Sequence, residues 1–280
     1  MKLWVLGVRG STPAPGPEFV RYGGNTSCVA LGHRGDVPSL VLDAGTGIRS
    51  MRAVLDGAPY RGALLLGHLH WDHTQGLPFA PSFDQAEAAV DVYLPAQGDA
   101  VEVLSRAMSP PHFPILPTDL RGAWTFTSLE PGMHSIGGFE VLARDIPHKG
   151  GRTFGYRITS PSSGGAMAYL SDHWPISVGP GPDGLGEYHP SVLELCDGVD
   201  VILHDAQYTA EELPGRADFG HSAIEYAVGL GQRCGSAVLL YHHDPNRTDD
   251  ALDELAASYA SHEPPVSAAR EGLLLELPSR

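Results

Sequence analysis

The run His68-Leu69-His70-Trp71-Asp72-His73 directly follows the apolar stretch Ala63-Leu64-Leu65-Leu66-Gly67. The apolar stretch reads as a buried strand, so three imidazoles and a carboxylate crowd together at its end. Such groups desolvate and repel one another unless something organises them. A divalent metal ion does that, and two ions do it better. Imidazole and carboxylate suit zinc, and also manganese or iron. His68 and His70 are two positions apart, so an extended backbone points both to one side. Asp72 and His73 lie where the chain leaves the strand and opens a helix. No single regular element aims all four at one atom. A strand-end loop can divide them, with His68 and His70 on one ion and Asp72 and His73 on another.

The same kind of ending recurs along the chain. Strands are expected at Trp4 to Val8, Ser27 to Gly32, Ser39 to Leu42, Ala63 to Leu66 and Val90 to Leu94. They resume at Trp124 to Thr127, Phe139 to Ile146, Phe154 to Thr159, Ala166 to Leu170, Val199 to Leu203, Ala237 to Tyr241 and Leu273 to Leu277. Helices are expected near Ile48 to Leu55, from Asp72 to Phe79, from Ala100 to Met108, from His221 to Leu230, and from a Thr248 cap to Tyr259. Asp43 follows Leu42, His148 follows Ile146-Pro147, and Asp172-His173 follow Leu170-Ser171. His204-Asp205 follow Leu203, and His242-His243-Asp244 follow Tyr241. Apolar strands that repeatedly end in ligand-type residues imply convergence on one polar site at one edge of the sheets. Meandering strands that give way to strand–helix alternation, in both halves, predict an α/β fold. The expected architecture is a four-layer αββα sandwich in one domain over 1–280.

Composition narrows the partners. The chain has 280 residues, with 18 Lys and Arg against 33 Asp and Glu, a formal charge of −15. That balance disfavours gripping long nucleic acid through a basic surface. A small anionic substrate remains compatible, because bound dications reverse the local field. Cys28, Cys196 and Cys234 are far apart in sequence and form no CxxC pair, which fits a reducing cytoplasm. The opening apolar run is too short for a signal peptide, and no stretch approaches the roughly 18 apolar residues of a membrane span. A soluble, cytoplasmic protein is expected.

The pattern HxHxDH, followed by a distant His, Asp and His, resembles the metallo-β-lactamase superfamily over nearly the whole chain. The resemblance implies His68, His70 and His148 on a first metal. It implies Asp72, His73 and His242 on a second, with Asp172 bridging. His242 is nearer the strand end than His243 and is the expected ligand. His173 is expected to be a neighbour of the site. Asp43 resembles a carboxylate that orients a metal-bound imidazole, and it also fits a turn and helix cap before Gly45. Two divalent ions are implied, zinc first, with manganese or iron as alternatives.

His204-Asp205-Ala206 and Gly220-His221-Ser222 are similar to paired motifs of the tRNA 3′-processing endonucleases and related phosphodiesterases. The segments around Arg9-Gly10-Ser11-Thr12-Pro13 and Tyr22-Gly23-Gly24-Asn25-Thr26-Ser27 are similar to the start of that branch. By this resemblance Asp205 orients His221, which protonates a leaving alkoxide. The Gly- and basic-rich tRNA-gripping insertion is not present in the sequence. Small cyclic phosphodiesterases are the closer match, and relatives are often dimers. The expected reaction is phosphodiester hydrolysis, with Asp72 orienting the attacking water. Lys149, Arg152 and Ser11 are candidates to contact substrate, and His112 and Phe113 to wall the pocket. Rival readings are a carboxylic ester, lactone or thioester hydrolase on the same site, and a non-catalytic metal-binding sensor.

Overall fold

The apolar runs pair into two sheets because most of them are buried on both faces. A computed structural model of the protein describes residues 1–278, so the last two residues of the expected 1–280 domain lie outside the described residues. The first sheet contains β1 (Lys2–Gly7), β2 (Cys28–Gly32), β3 (Leu40–Leu42), β4 (Arg61–Leu65), β5 (Ala89–Pro95), β6 (Ala123–Leu129) and β14 (Leu274–Glu276). Its order is β14-β1-β2-β3-β4-β5-β6. The second contains β7 (Gly132–Ile136), β8 (Phe139–Asp145), β9 (Phe154–Thr159), β10 (Ala166–Leu170), β11 (Val201–Asp205), β12 (Ala237–Tyr241) and β13 (Val266–Ala268). Its order is β13-β12-β11-β10-β9-β8-β7.

Alternate residues of each strand face the two apolar layers. Leu65 of β4 and Leu203 of β11 point inward, into a core between the sheets shared with Val29, Tyr156 and Tyr241. Leu64 points outward, onto Ile48, Met51 and Leu104. Ile202 points outward, onto Val192, Leu195 and Tyr226. Outer helices therefore cover both sheets, giving the four layers. They are α1 (Met51–Val54), α2 (Trp71–Thr74), α3 (Ala100–Ser105), α4 (Pro190–Cys196), α5 (Ile224–Cys234) and α6 (Asp249–Ser258). Among the described residues no helix is long and apolar enough to cross a membrane.

Strand direction places the site. β3, β4, β5 and β6 run parallel, as do β10, β11, β12 and β13. β8 reaches the same direction through two antiparallel steps by way of β9. The carboxyl ends of β3, β4, β8, β10, β11 and β12 thus share one edge of the sandwich.

Several boundaries differ from the sequence expectation. The helix expected from His221 begins only at Ile224, because Ser222 and Ile224 bond the Tyr208 backbone and keep this segment extended. The helix expected over Asp72 to Phe79 is one α turn, then a 3-10 turn at Leu77–Phe79. β7 and β13 escape the sequence pattern because they are short edge strands, with little apolar surface to alternate. α4 starts on Pro190 directly after a Gly/Pro-rich loop, which hides it.

Candidate metal centre

The strand-end residues meet in two groups that share Asp172. His68, His70, His148 and Asp172 each offer one ligand atom, and these atoms all lie within 4.8 Å of one another. Asp72, His73, Asp172 and His242 do the same. His148 Nε2 is 3.3 Å from His70 Nδ1 and 3.6 Å from Asp172 Oδ1. His242 Nε2 is 3.1 Å from Asp72 Oδ2 and 3.3 Å from Asp172 Oδ2.

A second ring of acceptors aims the imidazoles. His73 donates from Nδ1 to Asp43 Oδ2 at 2.7 Å. His148 donates from Nδ1 to the Gly220 carbonyl at 2.7 Å, and His242 from Nδ1 to Gln207 Oε1 at 3.0 Å. With Nδ1 engaged in this way, Nε2 is the atom that each ring turns to the centre, and the one a cation would take in place of a proton. Asp43 also accepts from the Gly67 amide at 2.7 Å and the Tyr169 hydroxyl at 2.8 Å. It is fully buried, with φ at 59°. It ties the end of β3 to the end of β4 and to His73.

The donor set fits divalent cations. His73 Nε2 faces Asp172 Oδ2 at 2.9 Å, and both nitrogens of His68 are buried without a hydrogen-bond partner. Leaving such atoms unpaired costs about 1–3 kcal/mol each. Among the described residues, no Lys or Arg side chain pairs with the buried carboxylates Asp43, Asp72, Asp172 or Asp205. Burial holds His68 well below the usual imidazole range, and lowers His148 to about 4. Both are therefore neutral, as ligation requires. At His73 burial also opposes protonation, but Asp72, Asp172 and Asp43 outweigh it and raise the imidazole well above its usual value. That field attracts a cation. His242 and Asp43 take left-handed backbone, with Ser11 beside Asp72 at φ 62°. Such strain concentrates at functional sites.

Asp205 and His221 join at the rim. His221 donates from Nδ1 to Asp205 Oδ2 at 2.9 Å and lies 3.6 Å from Asp172 Oδ1. Asp205 is further held by the amides of His173 and Gln207. Burial would lower the His221 pKa, but Asp205, with help from Asp172 and Asp72, raises it to about 9. A charged imidazole held this way can give up a proton at the rim. An open cleft of about 370 Å³, lined by Ser11, His70, Trp71, Asp72, Asp172 and His221, gives access.

The other candidates separate. His243 turns away to the Ala269 carbonyl at 2.9 Å. His173 sits in a buried group, meeting the His204 and Tyr226 rings edge to face. Ser11 borders the cleft, and its amide donates to Asp72 Oδ2 at 2.7 Å. Lys149 donates to the Asp218 carbonyl. Arg152 spends its donors on Asp145, Glu130 and the Ala96 carbonyl. Phe113 lines a cavity next to the centre, whereas His112 is not among its lining residues. Sequence reading missed Gln207, and it named Gly220 and Gly10 only within their motifs, without the roles their backbones take beside His148 and His242. A Cβ on Gly10 would come within 2.4 Å of the His242 ring. The only signal for Gln207 was its place two residues after Asp205.

The family model described as "Beta-lactamase superfamily domain" matches residues 39–243. A ribonuclease Z of Listeria welshimeri is 25% identical over 226 residues, covering 66% of this chain and 71% of that protein. The crystal structure of the short form of human tRNase Z superposes with a TM-score of 0.67 at 18% identity, covering 99% of this chain and 100% of that one. A diphosphatase from the PhnP family superposes with a TM-score of 0.68 at 17% identity, covering 100% and 99%. The match from Ser39 to His243 takes in every strand end that supplies the two groups of ligand atoms, and the chain belongs to the beta-lactamase superfamily domain family.

Proposed function

We propose that this chain, as one domain over 1–280, is a metal-dependent phosphodiesterase acting on a small anionic substrate. His68, His70 and His148 would hold one divalent ion, Asp72, His73 and His242 a second, and Asp172 both. Zinc is the first choice, and manganese or iron suit the same donors. When bound, the ions supply Lewis-acid activation of a water and of the phosphoryl oxygens. The chain's own residues do the rest. The Ser11 amide holds the Asp72 carboxylate toward the cleft, where it would orient the attacking water or accept its proton. Asp205 holds His221 beside Asp172 at the rim of the same cleft, where it would protonate the leaving oxygen.

The observation that carries this reading is the Asp205–His221 pair facing the shared carboxylate. A phosphodiester expels a poor alkoxide leaving group that needs a proton, and a buried imidazolium beside the centre provides it. The ribonuclease Z, tRNase Z and diphosphatase relatives support phosphorus chemistry. The net charge of −15 supports a small substrate. The names of the first two relatives also favour a second reading, in which the diester lies in RNA.

The test is turnover by metal-loaded protein of bis-p-nitrophenyl phosphate, a cyclic nucleotide, a lactone and a 3′-extended tRNA. The expected result is diester cleavage that falls about 10²–10⁴-fold in His221→Ala. Lactone cleavage without diester cleavage would overturn the reaction class. A higher kcat/KM on tRNA than on the small diesters would overturn the small substrate.

A further inference from the structure

An apolar cavity of about 400 Å³ adjoins the cleft and shares His70, Leu69 and Trp71 with it. Its floor is Leu77, Val103, Leu104 and Met108, all buried. Its walls are Trp71, Phe79 and Phe113. Trp71 is 76% exposed and Phe79 58% exposed, although most large apolar residues of the chain are buried. Phe79 and Phe113 meet edge to face, with centroids 5.7 Å apart. Trp71 sits between His70 and Asp72, so the aromatic wall begins at the metal centre itself.

The two arginines at this cavity both have acidic neighbours. Arg152 pairs with Asp145 and Glu130 and donates to the Ala96 carbonyl, and the exposed Arg106 lies 3.8 Å from Glu102. Gly150 brings its backbone close to the His70 ring at the cavity's edge, since a Cβ there would come within 2.8 Å of His70 Nε2. His221 and Asp205 do not line the cavity, so it lies away from the leaving-group donor. An apolar cavity of roughly 150 Å³ already accepts benzene, so this one has room for a substituted aromatic ring.

We propose that this cavity is a specificity subsite for an aromatic ester arm, retained on phosphorus while the other arm leaves beside His221. The proposal rests on the phosphodiesterase reading for its substrate class, while the binding it predicts can be measured without turnover. Phenylphosphonate and methylphosphonate should be titrated calorimetrically into the zinc-loaded protein. Phenylphosphonate is expected to bind about tenfold tighter or more, from the apolar area removed from water. The Phe79→Ala/Phe113→Ala double variant should narrow that ratio to about threefold or less. The kcat/KM for phenyl p-nitrophenyl phosphate should exceed that for methyl p-nitrophenyl phosphate by a similar factor, with the same leaving group. Equal binding of the two phosphonates by the wild type overturns the subsite, and it does so even where the double variant fails to fold. Equal turnover of the two diesters also overturns it and leaves the phosphodiesterase reading standing. Selective phenylphosphonate binding with no turnover of either diester supports the subsite and overturns the phosphodiesterase reading.

Discussion

Asp43→Asn isolates the role of a carboxylate that touches no substrate. Asp43 is fully buried and accepts from the Gly67 amide, the Tyr169 hydroxyl and His73 Nδ1. The new amide can still accept from Gly67 through its oxygen. Its NH₂ then faces His73 Nδ1, which must become an acceptor. The His73 proton moves to Nε2, and the lone pair aimed at Asp172 is lost. Asn tolerates the left-handed backbone at this position, so strain does not confound the change. Replacing such an orienting partner weakens metal affinity about 10–100-fold, which is about 1.4–2.8 kcal/mol. The loss should fall on the group containing Asp72, His73 and His242, sparing the group of His68, His70 and His148. Zinc titration against a chromogenic chelator reads both sites: the wild type should show two tight ions, the variant one tight and one weakened. Two ions of undiminished affinity in Asp43→Asn would refute the orienting role.

Other expectations follow from the same geometry. The His221 pKa is pushed up to about 9 chiefly by Asp205 against burial, so a reaction needing the imidazolium should fall as pH rises through about 9. Removing that attraction in Asp205→Asn leaves burial to lower the pKa, and kcat against pH should show its alkaline limb moved to lower pH. Gly10→Ala places a Cβ 2.4 Å from the His242 ring and 2.8 Å from Gln207 Oε1. It should lower the zinc stoichiometry measured after dialysis, while the far-ultraviolet spectrum stays that of the wild type. Arg9 is fully buried, donates to the carbonyls of Gly23, Asp244 and Arg247, and lies 3.7 Å from Asp249. Arg9→Met removes the buried cation and leaves the Asp249 carboxylate only the Arg21 and Tyr22 amides, and it should cost about 3–5 kcal/mol in urea unfolding.

The two-sheet architecture was legible because buried parallel strands must be apolar on both faces, and runs such as Ala237 to Tyr241 advertise that directly. The edge strands β7 and β13 were not, since a short edge strand needs little apolar surface. The residues that meet at the centre were legible as strand-end residues, because parallel strands deliver their carboxyl ends to one edge. Which nitrogen each imidazole presents was not, because Gln207 and the Gly220 carbonyl reach His242 and His148 from segments remote in sequence. Asp43 fitted both a turn and an orienting carboxylate in the sequence, and a 2.7 Å contact with His73 assigns it the second role as well. The aromatic cavity left no sequence motif, since Trp71, Val103, Phe113 and Gly150 come from separate elements. By itself, then, the sequence determined the donor chemistry, because ligand types at strand ends are a local property of the chain. Only the tertiary structure decided which ring nitrogens face the centre, how Asp205 meets His221 and which cavity adjoins the cleft, because each depends on side chains that folding brings together across the two sheets.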